Sequence, residues 1–229
     1  MKEKKSNKKI IEKIFNILKN DKIEDKLEEL FKLEKSNPED IGITQTIGQI
    51  YLQQNKNTEA LTYMKKALKI NPKNFSVNYN LGRTYQKFKK FDEAIEFYKK
   101  SILYNDKFIQ GFNILGDIYF NKNDLNQSVE FYKKSFNLDK TKKNIFAILR
   151  LAEIHSRMAN LDSDNEMFEK AKFYYECAHN VAPKNETIIK NLIKINYHLC
   201  LYSEAIKLEK KNFGLLVFDM NSDNILIEC

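Results

Sequence analysis

Apolar residues recur along most of this chain with the three-to-four-residue spacing of an amphipathic helix. The pattern is clearest in two neighbouring segments, residues 76–87 and 92–104, which a short polar turn separates. In both segments the apolar positions fall on one face and the charged positions on the other. Two short amphipathic helices joined by a tight turn predict an antiparallel helix pair.

The same pair of segments recurs at intervals of 34 residues. Each copy has an apolar residue followed by glycine, then an aromatic residue, and later small and bulky residues at fixed places. The three clearest copies contain Ile47-Gly48, Tyr51, Ala60 and Met64; Leu81-Gly82, Tyr85, Ala94 and Tyr98; and Leu115-Gly116, Tyr119, Ser128 and Tyr132. The prolines share a different phase, and Asn71-Pro72 marks a helix boundary, because proline disfavours helical geometry in the residue before it. A fixed period of this length is typical of a solenoid of stacked repeats.

The small residues of each copy predict close packing between its two helices. Helices approach closely only where one face lacks bulk, and Gly82 and Ala94 provide such faces. Glycine inside a helix costs about 1 kcal/mol relative to alanine, so packing against Tyr98 must offset that cost. His155 stands where other copies have a tyrosine, and we interpret it as a packing residue.

The length and residue pattern of the repeat resemble the tetratricopeptide repeat (TPR) family. The resemblance covers roughly residues 7–212 and is most specific in the copies that start at Ile41, Phe75 and Ile109. It implies an all-α fold, an α-solenoid of antiparallel helix pairs wound into a right-handed superhelix. It also implies that the first helix of each pair lines a concave groove and that the second helix faces the convex side.

We expect three segments: a disordered basic arm at 1–6, a TPR-like array at 7–212 and an apolar C-terminal tail at 213–229. The predicted units are 7–40 (degenerate), 41–74, 75–108, 109–142, 145–185 and 186–212 (degenerate). Unit 145–185 contains a seven-residue insertion within 159–166, which we expect to lengthen the turn between its helices. The tail could cover the last apolar face, lie in the groove or be the stub of a longer protein.

The composition narrows the class of protein. Hydrophobic residues make up 42% of the 229 residues, which is enough for a sizeable core. No apolar run approaches the roughly eighteen residues of a membrane helix, so we expect no membrane span. The odd number and wide spacing of Cys177, Cys200 and Cys229 indicate reduced thiols and a cytoplasmic protein.

The net charge of +8 raises the possibility of an anionic partner. Lysine pairs recur in phase on the predicted second helices, at Lys65-Lys66, Lys99-Lys100 and Lys133-Lys134. A stripe of this kind could meet RNA or an acidic surface on the convex side. No basic loop interleaved with aromatic residues supports base stacking, so we do not expect nucleic-acid binding.

No constellation for catalysis is recognisable in the sequence. His155, His179 and His198 lie on different predicted helices without metal-ligand spacing, and no phosphate-binding loop or nucleophile motif occurs. We therefore predict no enzymatic activity, no catalytic or metal-binding residues and no cofactor. An alternative is that the chain is an accessory or truncated N-terminal repeat region of an enzyme such as a transferase.

The remaining candidate is a protein-interaction surface on the first helices. Amides, aromatic rings and interspersed charges suit an extended peptide in the concave groove. The predicted groove residues are Gln45, Gln49, Gln53, Tyr79, Arg83, Gln86, Asn113, Asp117, Phe120, Glu153, Arg157, Lys190 and Lys194. We therefore predict a non-enzymatic scaffold or adaptor that binds a partner protein through a peptide segment.

Family members that bind the acidic C-terminal peptides of chaperones carry a particular set of lysine, asparagine and arginine residues. The corresponding positions in this chain are Gln45, Gln49, Asn80, Gln110 and Ile114. Only Asn80 matches the family's set. We therefore predict that this chain has no carboxylate clamp for chaperones.

Overall fold

The computed structural model of the protein describes residues 2–19, 21–141, 144–162 and 164–213. The twelve described helices are α1 (Lys2–Leu18), α2 (Ile23–Ser36), α3 (Ile41–Gln53), α4 (Asn57–Ile70), α5 (Phe75–Lys87), α6 (Phe91–Tyr104), α7 (Ile109–Asn121), α8 (Leu125–Leu138), α9 (Ile145–Asp162), α10 (Asn165–Val181), α11 (Glu186–His198) and α12 (Tyr202–Phe213). These ranges contain no strand. The predicted all-α fold of helix pairs, an α-solenoid, is confirmed.

The chain divides into two compact units, Met1–Gly111 and Phe112–Cys229. In the first unit, α3 pairs with α4 and α5 pairs with α6, while α4 also packs on α5. In the second unit, α9 pairs with α10 and α11 with α12, while α8 packs on α9 and α10 on α11. The second helix of a pair therefore also packs on the first helix of the next pair, as expected for stacked repeats.

Short polar side chains fix where several first helices begin. The side chains of Asp40, Asn74 and Asn185 each accept a hydrogen bond from the backbone N–H three residues later, at 3.0, 3.0 and 3.2 Å. A cap of this kind stabilises a helix by about 1 kcal/mol. Each capping residue follows a proline by two positions in the sequence, which explains why the prolines share one phase.

The turn inside most pairs is a left-handed cap. Asn55, Lys89, Asn123 and Cys200 have φ angles of 58–61°. The next residue in each case donates its N–H to a carbonyl five residues back, as in the bond from Lys90 to the Tyr85 oxygen at 3.0 Å. This Schellman-type closure satisfies carbonyls at the end of the first helix and turns the chain back on itself.

Glycines of the first helices lie directly against bulky side chains of the second helices. A Cβ atom added at Gly82 would lie 2.7 Å from two ring carbons of Tyr98. The equivalent atom at Gly116 would lie 2.8 Å from the Tyr132 ring, and at Gly48 it would lie 2.7 Å from the terminal methyl of Met64. The close approach inferred from the Leu-Gly pattern is therefore present.

His155 packs in the core, as its position in the repeat indicates. It is 2% exposed, and its Nδ1 lies 2.7 Å from the Leu151 carbonyl oxygen. Its ring centroid lies 5.4 Å from that of Tyr174. In the three preceding repeats a tyrosine occupies this position, and in one of them Tyr85 stacks on Phe97 with ring centroids 5.3 Å apart. Burial lowers the pKa of His155, so the neutral ring serves as an aromatic filler.

The seven extra residues of unit 145–185 do not lengthen the turn, and that prediction was wrong. Helix α9 has 18 residues where α3 has 13, and α10 has 17 where α4 has 14. Helix α9 ends at Asp162 and α10 begins at Asn165. The added segment keeps a helical apolar pattern, with Ala159 fully buried and Leu161 71% exposed. The Asp164 side chain then caps α10 by accepting from the Glu166 N–H at 2.8 Å.

The structure describes most of the predicted N-terminal arm but almost none of the predicted C-terminal tail. Helix α1 begins at Lys2, so it includes most of the segment 1–6 that we expected to be a disordered arm. Lysine and glutamate are good helix formers, and they extend the amphipathic helix towards the N-terminus. The apolar tail predicted at 213–229 lies, from residue 214 onward, outside the described residues.

Candidate functional site

The thirteen predicted groove residues divide between the two compact units. In the first unit, α3 and α5 carry Gln45, Gln49, Gln53, Tyr79, Arg83 and Gln86. In the second unit, α7, α9 and α11 carry Asn113, Asp117, Phe120, Glu153, Arg157, Lys190 and Lys194. All thirteen lie on first helices of their pairs, and none is fully buried.

In the first unit, hydrogen bonds and ring contacts hold part of this set in place. The Gln45 amide nitrogen donates to the Ser76 hydroxyl and so links α3 to α5. The Tyr79 ring lies 5.6 Å from the Tyr98 ring and 5.0 Å, edge to face, from the Phe108 ring. Gln49 is half-buried and Gln53 is exposed.

The hydroxyl of the buried tyrosine of α6 bonds to a predicted groove residue on the first helix of its pair. Tyr98 donates its O–H to the Gln86 side-chain oxygen at 2.8 Å. Burial raises the pKa of Tyr98 strongly, and the nearby Arg83 charge lowers it only in part, so the phenol remains a proton donor at neutral pH. Arg83 itself is exposed. The first unit therefore presents a cation beside a fixed amide and a fixed aromatic ring.

In the second unit, a single arginine joins the predicted residues into one cluster. The Arg150 guanidinium carbon lies 5.3 Å from the Phe120 ring centroid and 5.6 Å from that of Phe146. Arg150 also pairs with Asp117 at 3.5 Å and with Glu153 at 2.9 Å. Side chains of α7 and α9 are thereby locked together by stacking and by ion pairs.

The cluster continues to a tyrosine on one side and to a second arginine on the other. Tyr132 donates its O–H to Asp117 at 2.6 Å, and burial together with this bond raises the pKa of Tyr132. Arg157 lies with its guanidinium carbon 5.8 Å from the Phe120 ring centroid. It is exposed, and no carboxylate among the described residues pairs with it. Arg157 is therefore the cation of this cluster that a partner can reach.

Four asparagines on first helices hold buried polar atoms that lack a partner within the described structure. These atoms are Oδ1 of Asn78, Nδ2 of Asn80, Oδ1 of Asn113 and Oδ1 of Asn196. A buried polar group without a hydrogen bond costs about 1–3 kcal/mol. Because these atoms are closed off from solvent, their unused hydrogen-bonding capacity lies inside the repeats.

The remaining predicted residues lie on α11. Lys190 pairs with Glu186 at 3.5 Å, and its ammonium nitrogen lies 5.5 Å from the Phe213 ring centroid. Lys194 lines a pocket of about 150 Å³ that α9, α10 and α11 form together. The structure therefore places Lys190 beside the last described helix, and Lys194 at a separate cavity.

Several residues of these surfaces were missing from the predicted set. Arg150 and Asn191 both lie immediately before the leucine of the Leu-Gly position, as Asn80 does in its own repeat. That position lies three residues before a predicted groove residue in each case (Arg83, Glu153 and Lys194), and side chains three residues apart lie on the same face of a helix. Including it would have identified all three. Asn160, which also lines the pocket, lies in the added segment of α9 and has no counterpart in other repeats.

The described residues contain no group of three histidine, cysteine, aspartate or glutamate side chains that could hold a metal ion. No described helix is both long enough and apolar enough to cross a membrane. The chemical groups that the first-helix surfaces carry are amides, aromatic rings and charged side chains.

Comparison with known families agrees with this architecture. A profile described as TPR repeat matches residues 48–87, and one described as tetratricopeptide repeat matches residues 75–108 and 109–142. Residues 48–142 therefore contain tetratricopeptide repeats, and repeats of this class serve generally as protein-interaction scaffolds. No curated protein matches the chain in sequence.

Solved structures share its fold at low sequence identity. A crystal structure of YrrB, described as a TPR protein with an unusual peptide-binding site, matches with a TM-score of 0.64 and 15% identity over 80% of this chain and 90% of YrrB. A tetratricopeptide repeat protein from Parabacteroides merdae matches with a TM-score of 0.63 and 17% identity over 90% of this chain and 78% of its own. MamA matches with a TM-score of 0.60 and 20% identity over 77% of this chain and 97% of MamA. These similarities concern the fold alone.

Proposed function

We propose that this protein is a non-enzymatic adaptor whose first-helix surfaces bind an extended peptide segment of a partner protein. The observation that supports it most is the cluster around Arg150 in the second unit. Aromatic and arginine side chains are enriched where binding energy concentrates in protein interfaces. Here two arginines and two phenylalanines are already fixed on neighbouring first helices, so little side-chain entropy is lost on binding.

The hydrogen-bonding groups of both units support the same proposal. An extended peptide has unpaired backbone N–H and C=O groups along its whole length. Gln49 and Gln53 in the first unit and Asn113 in the second unit carry side-chain amides on residues that are not fully buried, and an amide can both donate to and accept from a peptide backbone. YrrB has a related fold and is described as having a peptide-binding site, which is consistent with this use.

The chemistry of the surfaces favours a partner segment with acidic side chains. Arg83 in the first unit and Arg157 in the second unit are exposed cations, and Arg157 lies beside the Phe120 ring. The two acidic residues predicted for the groove in the second unit, Asp117 and Glu153, are already paired with Arg150. The prediction that the chain lacks a chaperone carboxylate clamp stands with this proposal, because Gln45, Gln49 and Ile114 do not provide that set.

Peptide selection followed by titration tests the proposal. Peptides selected from a random displayed library against the whole chain are titrated by calorimetry into wild type, into the double variant Tyr79→Ala, Arg83→Glu, and into Arg157→Glu. We expect dissociation constants of about 1 μM, or roughly 8 kcal/mol. Loss of a charge-assisted contact should weaken binding by about tenfold or more in at least one of these variants.

Lys65→Glu is the matched control, because it makes the same charge reversal at an exposed position of second helix α4. Its affinity should equal that of wild type. If Lys65→Glu weakens binding and the first-helix variants do not, the proposal is wrong and the lysine stripe of the second helices is the binding surface. Binding of RNA with an affinity that falls steeply with salt would support that alternative.

A further inference from the structure

Most of the described side chains that line the pocket between α9, α10 and α11 are polar. Its volume is about 150 Å³, whereas pockets for drug-sized ligands typically measure about 300–1,000 Å³. A water molecule takes up about 30 Å³ in the liquid. The cavity therefore has room for one polar group, such as the end of a side chain, and not for a cofactor.

Donor groups dominate the described lining. Asn160 from α9 and Asn191 from α11 contribute side-chain amides, Lys194 contributes an ammonium group, and His198 contributes a ring nitrogen. None of the described lining residues is acidic. Amide, ammonium and imidazole N–H groups converging on one small volume match the oxygens of an anion.

The walls of the pocket are held in place by packing. The His198 ring stacks on Phe168 with centroids 4.6 Å apart and an angle of 9° between planes. Partial burial, and then the Lys194 charge, lower the pKa of His198, so it is a neutral donor at pH 7. On the α9 side, Ser156 donates its hydroxyl to the Ala152 carbonyl oxygen at 2.9 Å. Both walls are therefore set before any ligand arrives.

The added segment of α9 makes this pocket specific to one repeat. Asn160 lies in the turns by which α9 exceeds the regular first helix, 18 residues against 13. Its amide is therefore a lining group that the regular repeats cannot supply. Lys194 already has an interaction partner within the protein, so its donors are shared between that partner and a ligand.

We propose that this pocket is an oxyanion-binding subsite, which takes a side-chain carboxylate or phosphate from the bound segment. The inference rests on the proposed peptide binding and adds to it the chemistry of one position in the ligand. The two sources of the oxyanion share the same recognition, because both present several acceptor oxygens to N–H donors.

Titration with single capped amino acids tests the subsite without any partner peptide. N-acetyl-glutamate amide, N-acetyl-phosphoserine amide and N-acetyl-glutamine amide are added to the whole chain. Binding is followed by NMR through the side-chain amides of Asn160 and Asn191 and the ring of His198. We expect saturable shifts with the glutamate or phosphoserine probe and none with glutamine. The probe that binds identifies the source of the oxyanion.

A second lysine variant provides the control. Lys194→Gln should weaken the binding of the anionic probe by about tenfold or more, because it removes a charged donor. Lys207→Gln, at an exposed position of α12 outside the described pocket lining, should leave it unchanged. Equal weakening by both variants, equal binding of the glutamine probe, or no shifts with either anionic probe would each overturn the subsite. Those outcomes leave the peptide titrations of the first-helix variants unaffected, so the two proposals fail separately.

Discussion

Replacing Gly82 with alanine tests the helix packing that the repeat depends on. The added methyl carbon would lie 2.7 Å from Cδ1 and Cε1 of Tyr98 and 3.0 Å from its Cγ. The favourable separation between carbons is about 3.5–4.0 Å, so the ring must move by roughly an ångström. Tyr98 is fully buried and its hydroxyl is hydrogen-bonded to Gln86, so its ring cannot move without losing packing contacts or that hydrogen bond.

Gly48 offers a matched control in the same compact unit. There the nearest atom to an added Cβ is the terminal methyl of Met64 at 2.7 Å, which a flexible side chain can move. Alanine gains about 1 kcal/mol of helix propensity at both sites, so that gain cancels in the comparison. Overpacking a rigid core costs about 1–3 kcal/mol. We expect Gly82→Ala to be less stable than Gly48→Ala by about 1–2 kcal/mol.

Urea unfolding followed by circular dichroism measures this difference. A third variant, Tyr98→Met with Gly82→Ala, places the flexible side chain of the Gly48 site opposite the new methyl group. In that background the cost of Gly82→Ala should fall towards that of Gly48→Ala. If Gly82→Ala alone is as stable as Gly48→Ala, or more stable than wild type, the close contact with Tyr98 does not limit the packing and the argument fails.

Three further predictions follow from the described contacts. Ala159→Asp should lower the free energy of unfolding by about 2 kcal/mol or more because Ala159 is buried in the extended α9, whereas the exposed Leu161→Asp should leave it nearly unchanged. Equal effects of the two variants in urea unfolding would mean that this segment is a loop. Arg150→Met should destabilise the second unit by about 1 kcal/mol and weaken peptide binding. Arg150→Lys should restore neither the stability nor the peptide binding, because lysine lacks the planar group that stacks on Phe120. Full rescue by lysine would contradict the stacking role. Burial lowers the folded-state pKa of His155 from an ordinary value of about 6.5, so the stability that it contributes is complete above pH 6.5 and is lost as the pH falls through that lowered folded-state pKa. The variant His155→Tyr, which introduces the residue of the preceding repeats, should therefore lose less stability between pH 7 and 5 than wild type. An identical pH profile of stability in the two proteins would contradict the burial argument.

The helix pairs were predictable because the rarest residues mark them. Glycine occurs where a tyrosine ring approaches most closely, and proline occurs two residues before the helix caps. The repeat positions of both residue types can therefore be recognised in a single sequence. The extension of α9 was not predicted correctly. The segment predicted to hold the insertion, residues 159–166, is rich in asparagine and aspartate, which are typical of turns. In the folded chain α9 continues to Asp162, with Ala159 buried against the core.

The candidate site was predictable only in part. Helical phase identified Asp117, Phe120 and Arg157 as residues of one surface and puts Arg150 on the same face as Glu153, but it gave no sign that Arg150 contacts Asp117 and Phe120. That contact depends on how α7 and α9 lie side by side, which the spacing within one helix does not determine. The polar pocket beside Lys194 was not predictable at all, because Asn160 enters it from a turn of helix that no other repeat has.

The central claim is that first helices, and not second helices, carry the binding surface. Backbone amide shifts of the whole chain, measured with and without the tightest peptide from the library, test it most directly. The account predicts that the largest shifts fall on α5, or on α9 and α11, together with the side chains of Arg83 or Arg157. Shifts confined to α4, α6, α8 and α10 would contradict it.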